Sequence, residues 1–139
     1  MWDMPNILAF DFGLRRIGLA VGQTITRTAT PIEFLKAKDG IPNWQEVEAI
    51  IQKWRPEKIL VGIPLTMEGE EQLLTHCARK FAKRLKERFQ LPIEFIDERL
   101  TTISARTELF DGGGYKALKK GKVDSVAAKI MLDDWFLTH

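Results

Sequence analysis

The chain has 139 residues, of which 45% are hydrophobic, so we expect a single domain over residues 1–139 with enough apolar material for a core. No apolar run reaches membrane-spanning length and the N-terminus has no secretory pattern, which indicates a cytoplasmic protein without membrane association. The one cysteine, Cys77, excludes an internal disulfide and a cysteine-based zinc site, and two histidines are too few to replace it. Any bound metal should therefore have oxygen ligands. The net charge of +2 is modest, but the charges are unevenly distributed along the chain.

The first predicted unit is a β-hairpin over Ile7 to Gly22 (ILAFDFGLRRIGLAVG), in which two apolar runs are separated by Gly13 and two arginines. Asp11 lies near the end of its first strand. A carboxylate at this position suits a metal ion, and Arg15 and Arg16 suit a phosphate. Gly13 has no side chain, so a ligand could approach the backbone closely there.

The middle of the chain predicts alternating strands and helices. Thr28 to Leu35 predicts a third strand, and Pro31 within it is typical of a sheet edge because proline cannot donate a hydrogen bond. The elements that follow are a helix with Asn43 as its N-cap that ends before Pro56, a buried strand over Lys58 to Ile63, a helix over Glu71 to Phe89, and a strand over Ile93 to Ile96. The order predicts an α/β fold with a five-stranded mixed sheet, three antiparallel strands and then two parallel ones, flanked by helices.

The last third of the chain predicts helices around a basic loop. Thr101 or Thr102 is expected to cap a short helix that ends near Phe110. Tyr115 to Lys122 carries four lysines after a run of three glycines, which indicates a mobile basic loop that could hold a nucleic-acid backbone or simply aid solubility. The final helix is predicted from Val123 to about Leu137, with apolar positions Val123, Val126, Ala127, Ile130 and Met131 facing the core.

Three acids stand at the ends of predicted elements. Asp11 follows the first strand, Glu98 follows the fifth, and Asp124 opens the last helix. Because the carboxyl ends of parallel strands meet at one sheet edge, these acids could converge there and bind Mg²⁺ or Mn²⁺. Two such ions can activate water for phosphodiester hydrolysis, as in a nuclease. Each acid also has a structural interpretation, because surface acids are common at strand ends and an acid in a first helical turn suits the helix dipole. Asp97 is an alternative to Glu98 as the candidate at the end of the fifth strand.

Other candidate features favour structural explanations. Trp44 and Trp54 recur at helical spacing and are expected in the core rather than as platforms for base stacking. The helix over Glu71 to Phe89 also carries many cations, and a solvated helix face is the favoured interpretation of them. These cations are Arg79, Lys80, Lys83, Arg84, Lys86 and Arg88.

From about Ile7 to Phe136 the chain resembles the YqgF/RuvX family of RNase H-like nucleases. The resemblance rests on four ordered motifs: DFGLRRIGLAVG at Asp11 to Gly22, VGIPLTMEG at Val61 to Gly69, DERLTT at Asp97 to Thr102, and GKVDSVAA at Gly121 to Ala128. It implies an RNase H-like fold in which Asp11, Glu98 and Asp124 are the catalytic and metal-binding residues, and it favours Glu98 over Asp97. It also implies that the substrate is nucleic acid, with processing of the 5′ end of the 16S ribosomal RNA precursor first and Holliday-junction cleavage second.

The expected contacts to nucleic acid are Gly13, Arg15, Arg16, Arg99, Lys116, Lys119, Lys120 and Lys122. The related RuvC resolvases carry a further acid three residues after the last aspartate, and here that residue is Ala127, which weakens the analogy with junction cleavage. The oligomeric state, monomer or homodimer, is open. Two other classes compete: an actin-like ATPase, for which the chain lacks a second lobe, and a non-catalytic nucleic-acid-binding module.

Overall fold

The computed structural model describes residues 6–97 and the backbone of residues 120–139, with side chains from 125 onward in that second range. The predicted short helix from Thr101 or Thr102 lies outside these residues. In chain order the elements are β1 (Asn6–Asp11), β2 (Arg16–Gln23), β3 (Thr28–Lys38), β4 (Ile41–Pro42), α1 (Trp44–Trp54), β5 (Pro56–Ile63), α2 (Leu73–Phe89), β6 (Ile93–Asp97) and α3 (Lys120–Thr138). No helix within this described part is long and apolar enough to cross a membrane.

The strands form one mixed sheet in the order β4-β3-β2-β1-β5-β6. The antiparallel β1–β2–β3 unit and the parallel pairing of β1, β5 and β6 confirm the predicted mixed topology. The predicted number of five strands is wrong, because β4 adds a sixth at the edge. This strand has only two residues, too few to show an alternating pattern, and a turn through Asp39 and Gly40, both with positive φ, folds it back on Ala37 and Lys38.

The two faces of the sheet bury different residues, as the alternation along β1 shows. Leu8 and Phe10 belong to a core with α1 and α2, whereas Ile7 and Ala9 belong to a second core with α3. The helices therefore form a layer on each side of the sheet. By the same alternation, Asp11 lies on the face that α3 covers.

The predicted start of α1 is confirmed. Asn43 caps it by accepting a hydrogen bond from the Gln45 amide at 2.9 Å. The helix ends at Arg55, whose φ of 44° breaks the helix just before Pro56. Trp44 stacks on Phe81 of α2 with ring centroids 5.8 Å apart, so its predicted place in the core is confirmed.

Helix α3 begins at Lys120, three residues before its predicted start at Val123. The prediction of a loop is therefore wrong for residues 120–122, because lysine loses little side-chain freedom in a helix and a lysine-rich run is compatible with either state. Asp124 is consequently the fifth residue of α3 and lies beyond its first turn, so the expected favourable placement near the helix dipole is also wrong.

The sheet-facing side of α3 differs in part from its predicted apolar stripe. Met131 packs on the sheet as predicted, together with Ala128, Leu132 and Phe136. Ala127 and Ile130 are also buried but form a separate small cluster with Val126. The helix is apolar on several sides, so periodicity alone did not distinguish the sheet-facing side.

Candidate active site

The carboxyl ends of β1, β5 and β6 lie at one edge of the sheet. Phe10 pairs with Val61, which pairs with Phe95, so Asp11 is level with Gly62 and Ile96. The middle strand, β5, ends at Ile63 without an acid. Because neighbouring strands are about 4.8 Å apart, the ends of β1 and β6 are separated by roughly 10 Å across β5. This carboxyl edge is where the sequence places its candidate acids.

Asp11 is half-buried, and its two neighbours fix its backbone. Phe10 and Phe12 are both buried on the face opposite to that of Asp11. Their rings contact Phe81 of α2, with centroids 5.5 Å and 5.4 Å away respectively. The end of β1 is therefore held by aromatic packing while the carboxylate belongs to the face of α3.

The turn after Asp11 is constrained by its own backbone and by the β3–β4 turn. A Cβ at Gly13 would collide with the carbonyl oxygen of Arg16, so glycine is required there for steric reasons in addition to any role in ligand approach. The carbonyl oxygens of Leu14 and Arg15 accept hydrogen bonds at 2.8 Å from the amides of Gly40 and Ala37. The sequence pattern did not predict this link.

The two arginines of the turn have different surroundings. Arg15 is exposed, whereas Arg16 is half-buried and its guanidinium lies 5.8 Å from the centre of the Phe34 ring on β3. The ring contact restrains Arg16 and leaves Arg15 as the more accessible cation beside Asp11.

Helix α3 runs antiparallel to β1 and brings its first turns to the carboxyl edge. The hydroxyl of Ser125 donates a 2.7 Å hydrogen bond to the carbonyl of Ile32, which lies level with Leu19 and Phe10 across the sheet. The other end of α3 lies over Gly22, where an added Cβ would approach Leu132 and Phe136 to 3.0 Å. The backbone of Asp124, immediately before Ser125, therefore lies towards the carboxyl edge of the sheet, on the β3 side and two strands away from β1.

A polar cluster fixes the far end of α3 on the sheet. Glu94 of β6 accepts a 2.8 Å hydrogen bond from the Trp135 indole and forms a 3.1 Å ion pair with Lys58. Burial opposes the charge on Glu94, but the hydrogen bonds from Lys58 and Trp135 and the charges of Lys58 and His139 outweigh it, so the pKa of Glu94 is lowered. On α3 itself, burial and the charge of Asp133 raise the pKa of Asp134. The cluster around Glu94 thus holds α3 in the orientation that brings Asp124 to the carboxyl edge.

The alternation of side chains along β6 indicates on which face of the sheet Asp97 lies, and therefore whether Asp97 or Glu98 is the better candidate partner of Asp11. Glu94 and Ile96 contact the α3 side, whereas Phe95 lies beneath Arg79 of α2 on the other side. Alternation therefore assigns Asp97 to the α2 face, opposite to Asp11. This placement disfavours Asp97 as the partner of Asp11.

The predicted site residues are only partly within the described structure. Asp11, Gly13, Arg15 and Arg16 are described in full and lie together at the end of β1. For Lys120, Lys122 and Asp124 the backbone alone is described, in α3, and the remaining predicted residues, Glu98, Arg99, Lys116 and Lys119, lie outside the described residues.

The available donors fit a metal with oxygen ligands. Cys77 and His76 belong to α2, on the opposite face of the sheet from Asp11, and His139 stacks on Trp135 at the far end of α3 with centroids 4.2 Å apart. Among the side chains of residues 6–97 and 125–139, no group of three acids, histidines or cysteines could hold a metal. Asp11 is the one predicted ligand whose side chain belongs to that set.

A small hairpin after β5, which the sequence pattern did not predict, borders the same edge. Leu65 bridges to Glu71, and Thr66 accepts hydrogen bonds from the backbone amides of Gly69 and Glu70 at 2.9–3.0 Å. Thr75 of α2 is hydrogen-bonded to the carbonyl of Pro64, which anchors the base of the hairpin. The turn-forming Gly69, with a φ of 84°, was the available sequence signal.

Comparison with known proteins identifies the family to which the chain belongs. A family model described as "RuvX: Holliday junction resolvase" matches residues 5–138. The chain belongs to the RuvX family. Its relatives include proteins named "Putative pre-16S rRNA nuclease" from Actinobacillus pleuropneumoniae, 59% identical over 94% of this chain and 96% of the relative, and from Shewanella oneidensis, 53% identical over 99% and 97%. The resemblance that the four motifs indicated is thereby confirmed.

Solved structures support the RNase H-like class of fold for this RuvX member. The Thermus thermophilus RuvC chain in complex with a Holliday junction substrate has a TM-score of 0.57 at 15% identity, covering 96% of this chain and 94% of that one. Fowlpox virus resolvase in complex with Holliday junction DNA also has a TM-score of 0.57, at 14% identity, covering 96% and 97%. At such low identity, these likenesses concern the fold.

Proposed function

We propose that this RuvX family member is a metal-dependent endonuclease that hydrolyses phosphodiester bonds at the 5′ end of the 16S ribosomal RNA precursor. One observation carries the proposal: Asp11 ends β1 at the edge to which the bond from Ser125 to Ile32 brings the start of α3. The names of relatives more than 50% identical support precursor ribosomal RNA as the substrate. We further propose that the chain forms a single domain and acts in the cytoplasm.

The proposed catalytic and metal-binding residues are Asp11, Glu98 and Asp124, with Mg²⁺ or Mn²⁺ as the cofactor. These three carboxylates would hold the metal, which when bound would supply Lewis-acid stabilisation of the phosphodiester and activation of water. Asp11 would offer its carboxylate from a strand end held by Phe10 and Phe12. Asp124 lies beyond the first turn of α3, so helix capping does not explain an acid there.

The proposed phosphate contacts surround this edge. Arg15 is exposed beside Asp11, and Arg16 is restrained by Phe34. Lys120 and Lys122 belong to the first turn of α3 and precede Asp124 in the chain. Gly13 would act by keeping the turn closed, and the set is completed by Arg99, Lys116 and Lys119.

Cleavage of Holliday junctions is a second candidate function. The matching family is that of a Holliday junction resolvase, and the similarly folded RuvC and fowlpox virus resolvase were solved with Holliday junction DNA, which favours this function. Ala127, which is buried three residues after Asp124, argues against a fourth carboxylate of the RuvC kind. Cutting both strands of a junction would also be easiest for a homodimer, whereas processing of an RNA end needs one site.

The test compares wild type, Asp11→Asn and the control Asp133→Asn on a 5′ precursor 16S RNA and on a four-way DNA junction, with Mg²⁺, Mn²⁺ or chelator. Asp133 forms a surface ion pair with Lys129 about two turns beyond Ser125, so its loss should leave cutting intact. We expect RNA cleavage that needs the ion and Asp11. Salt-sensitive binding without turnover would instead indicate a binding module. Thermal stabilisation by ATP would indicate the actin-like class.

A further inference from the structure

Helix α2 carries an unusual excess of positive charge. Its seventeen residues contain six lysines and arginines and one acid, Glu87. By contrast, α1 packs on the same face of the sheet and mixes Glu46 and Glu48 with Lys53. The excess is therefore particular to α2 and is not a property of this side of the molecule.

The cations follow the side of α2 that faces away from the core. Phe81 and Leu85 are buried against the sheet, while Lys80, Lys83 and Lys86 recur at helical spacing on the exposed side. Within residues 6–97 and 125–139, these three lysines form no ion pair. We call Lys80, Lys83 and Lys86 the α2 lysine row.

Two other cations of α2 are already engaged. Arg79 pairs with Glu71 and lies 5.1 Å from the Phe95 ring, and the guanidinium of Arg88 lies 4.5 Å from the Trp44 ring. The α2 lysine row lies between these two arginines along the helix.

A purely solvating face would ordinarily mix charges of both signs, because opposite charges four residues apart stabilise a helix and like charges destabilise it. Here Arg79 and Lys83, Lys80 and Arg84, and Arg84 and Arg88 stand four residues apart with the same sign, and Lys83 and Glu87 are the one pair of opposite sign at that spacing within α2. A bound polyanion would relieve this repulsion. The charge pattern therefore favours a ligand over a simple solubilising role.

The position of α2 relative to the carboxyl edge favours nucleic acid as the polyanion. The helix begins after the hairpin that borders the carboxyl edge, and it runs from there along the face opposite to α3. At about 1.5 Å per residue the α2 lysine row spans roughly 9 Å, long enough to contact consecutive phosphates of one strand. The acids Glu68 and Glu70 on the hairpin mark the limit of the positive surface near the start of α2, so phosphate contact would start at Lys80.

We propose that the α2 lysine row is a second nucleic-acid contact that binds the phosphate backbone of the RNA flanking the cleavage point. This inference rests on the proposed function, since it assumes that the substrate is RNA cut at the carboxyl edge. It adds an anchoring surface remote from Asp11 that would lengthen the footprint of the enzyme on its substrate without touching the reacting atoms.

The test compares Lys80→Gln/Lys83→Gln/Lys86→Gln with the control Arg27→Gln/Lys53→Gln/Arg55→Gln, which loses the same charge at exposed cations outside α2. Both are made in the Asp11→Asn background and titrated with a precursor RNA stem carrying a single-stranded end, by fluorescence anisotropy at several salt concentrations. Loss of three phosphate contacts should flatten the slope of log K against log salt by about 2–3 in the α2 variant, since each contact contributes roughly 0.7–0.9. The control should keep a slope close to that of Asp11→Asn alone.

If the slope of log K against log salt is the same for the α2 variant as for the control, the proposal is overturned. The surface would then either bind an acidic protein or serve solvation alone. A circular dichroism spectrum equal to that of the parent shows that α2 is still folded. Cleavage by otherwise wild-type protein is measured separately. A flattened slope without any cleavage would uphold this surface and refute the proposed nuclease function, whereas cleavage with unchanged slopes would do the reverse.

Discussion

Replacing Phe81 with alanine tests how the core holds Asp11 in position. Phe81 is 2% exposed, and its ring contacts Phe10 and Phe12, the neighbours of Asp11 in sequence. The same ring stacks on Trp44, so one side chain joins α1, α2 and the end of β1.

The expected cost follows from these contacts. Truncating a buried phenylalanine to alanine typically costs about 3–5 kcal/mol because a cavity remains. Three aromatic partners, each contributing about 0.5–1.5 kcal/mol beyond burial, place Phe81 in the upper part of that range, at about 4–5 kcal/mol. At about 4 °C per kcal/mol for a chain of this size, the melting temperature should fall by roughly 16–20 °C.

Urea unfolding followed by tryptophan fluorescence measures the loss. The control is Leu137→Ala, which removes a side chain that is 82% exposed and should change stability by less than about 0.5 kcal/mol. Phe81→Leu keeps most of the volume and should lose less stability than Phe81→Ala while still slowing RNA cleavage, because Asp11 is held less firmly. A loss below about 1 kcal/mol for Phe81→Ala, at an unchanged urea slope, would refute this account of the core.

Further predictions concern local contacts. Gly13→Ala should cost about 1–3 kcal/mol in thermal unfolding and reduce cleavage further than this loss explains, since its Cβ would displace the Arg16 carbonyl; an unchanged melting temperature would contradict this. Asn43→Ala should cost about 1 kcal/mol in urea unfolding by removing the α1 cap, whereas Asn43→Ser should cost little; equal losses would argue against capping. Glu94→Gln should be less stable than wild type near neutral pH, and the difference should shrink in acid, because a lowered pKa stabilises the folded state above the ordinary carboxyl pKa and that gain is lost as pH falls; a difference independent of pH would contradict it.

Local signals predicted most of the central architecture. The hairpin around Gly13, the cap at Asn43 and the buried strand β5 depend on residues close together in sequence, and all three are confirmed. Strand β4 and the start of α3 at Lys120 were not predicted, because a two-residue strand has no periodicity and lysine is compatible with both helix and loop.

The contacts that orient the candidate site could not be predicted because they join distant residues. Ser125 bonds to Ile32 across 93 positions, and Trp135 bonds to Glu94 across 41. Nothing in the pattern of either segment encodes its partner. The motifs did supply the identity of Asp11, Glu98 and Asp124 as candidates, and their roles remain predictions.

The most direct test of the central claim is Mn²⁺ binding to the full chain, followed by electron paramagnetic resonance, for wild type, Asp11→Asn, Asp124→Asn and the control Asp133→Asn. If Asp11 and Asp124 ligate one metal site at the carboxyl edge, replacing either aspartate should weaken Mn²⁺ binding by more than about 100-fold. This exceeds the effect of removing a group that only supports a metal ligand, which is at most about 100-fold. The control should bind as wild type does. Undiminished Mn²⁺ affinity in either Asp11→Asn or Asp124→Asn would contradict the proposed metal site.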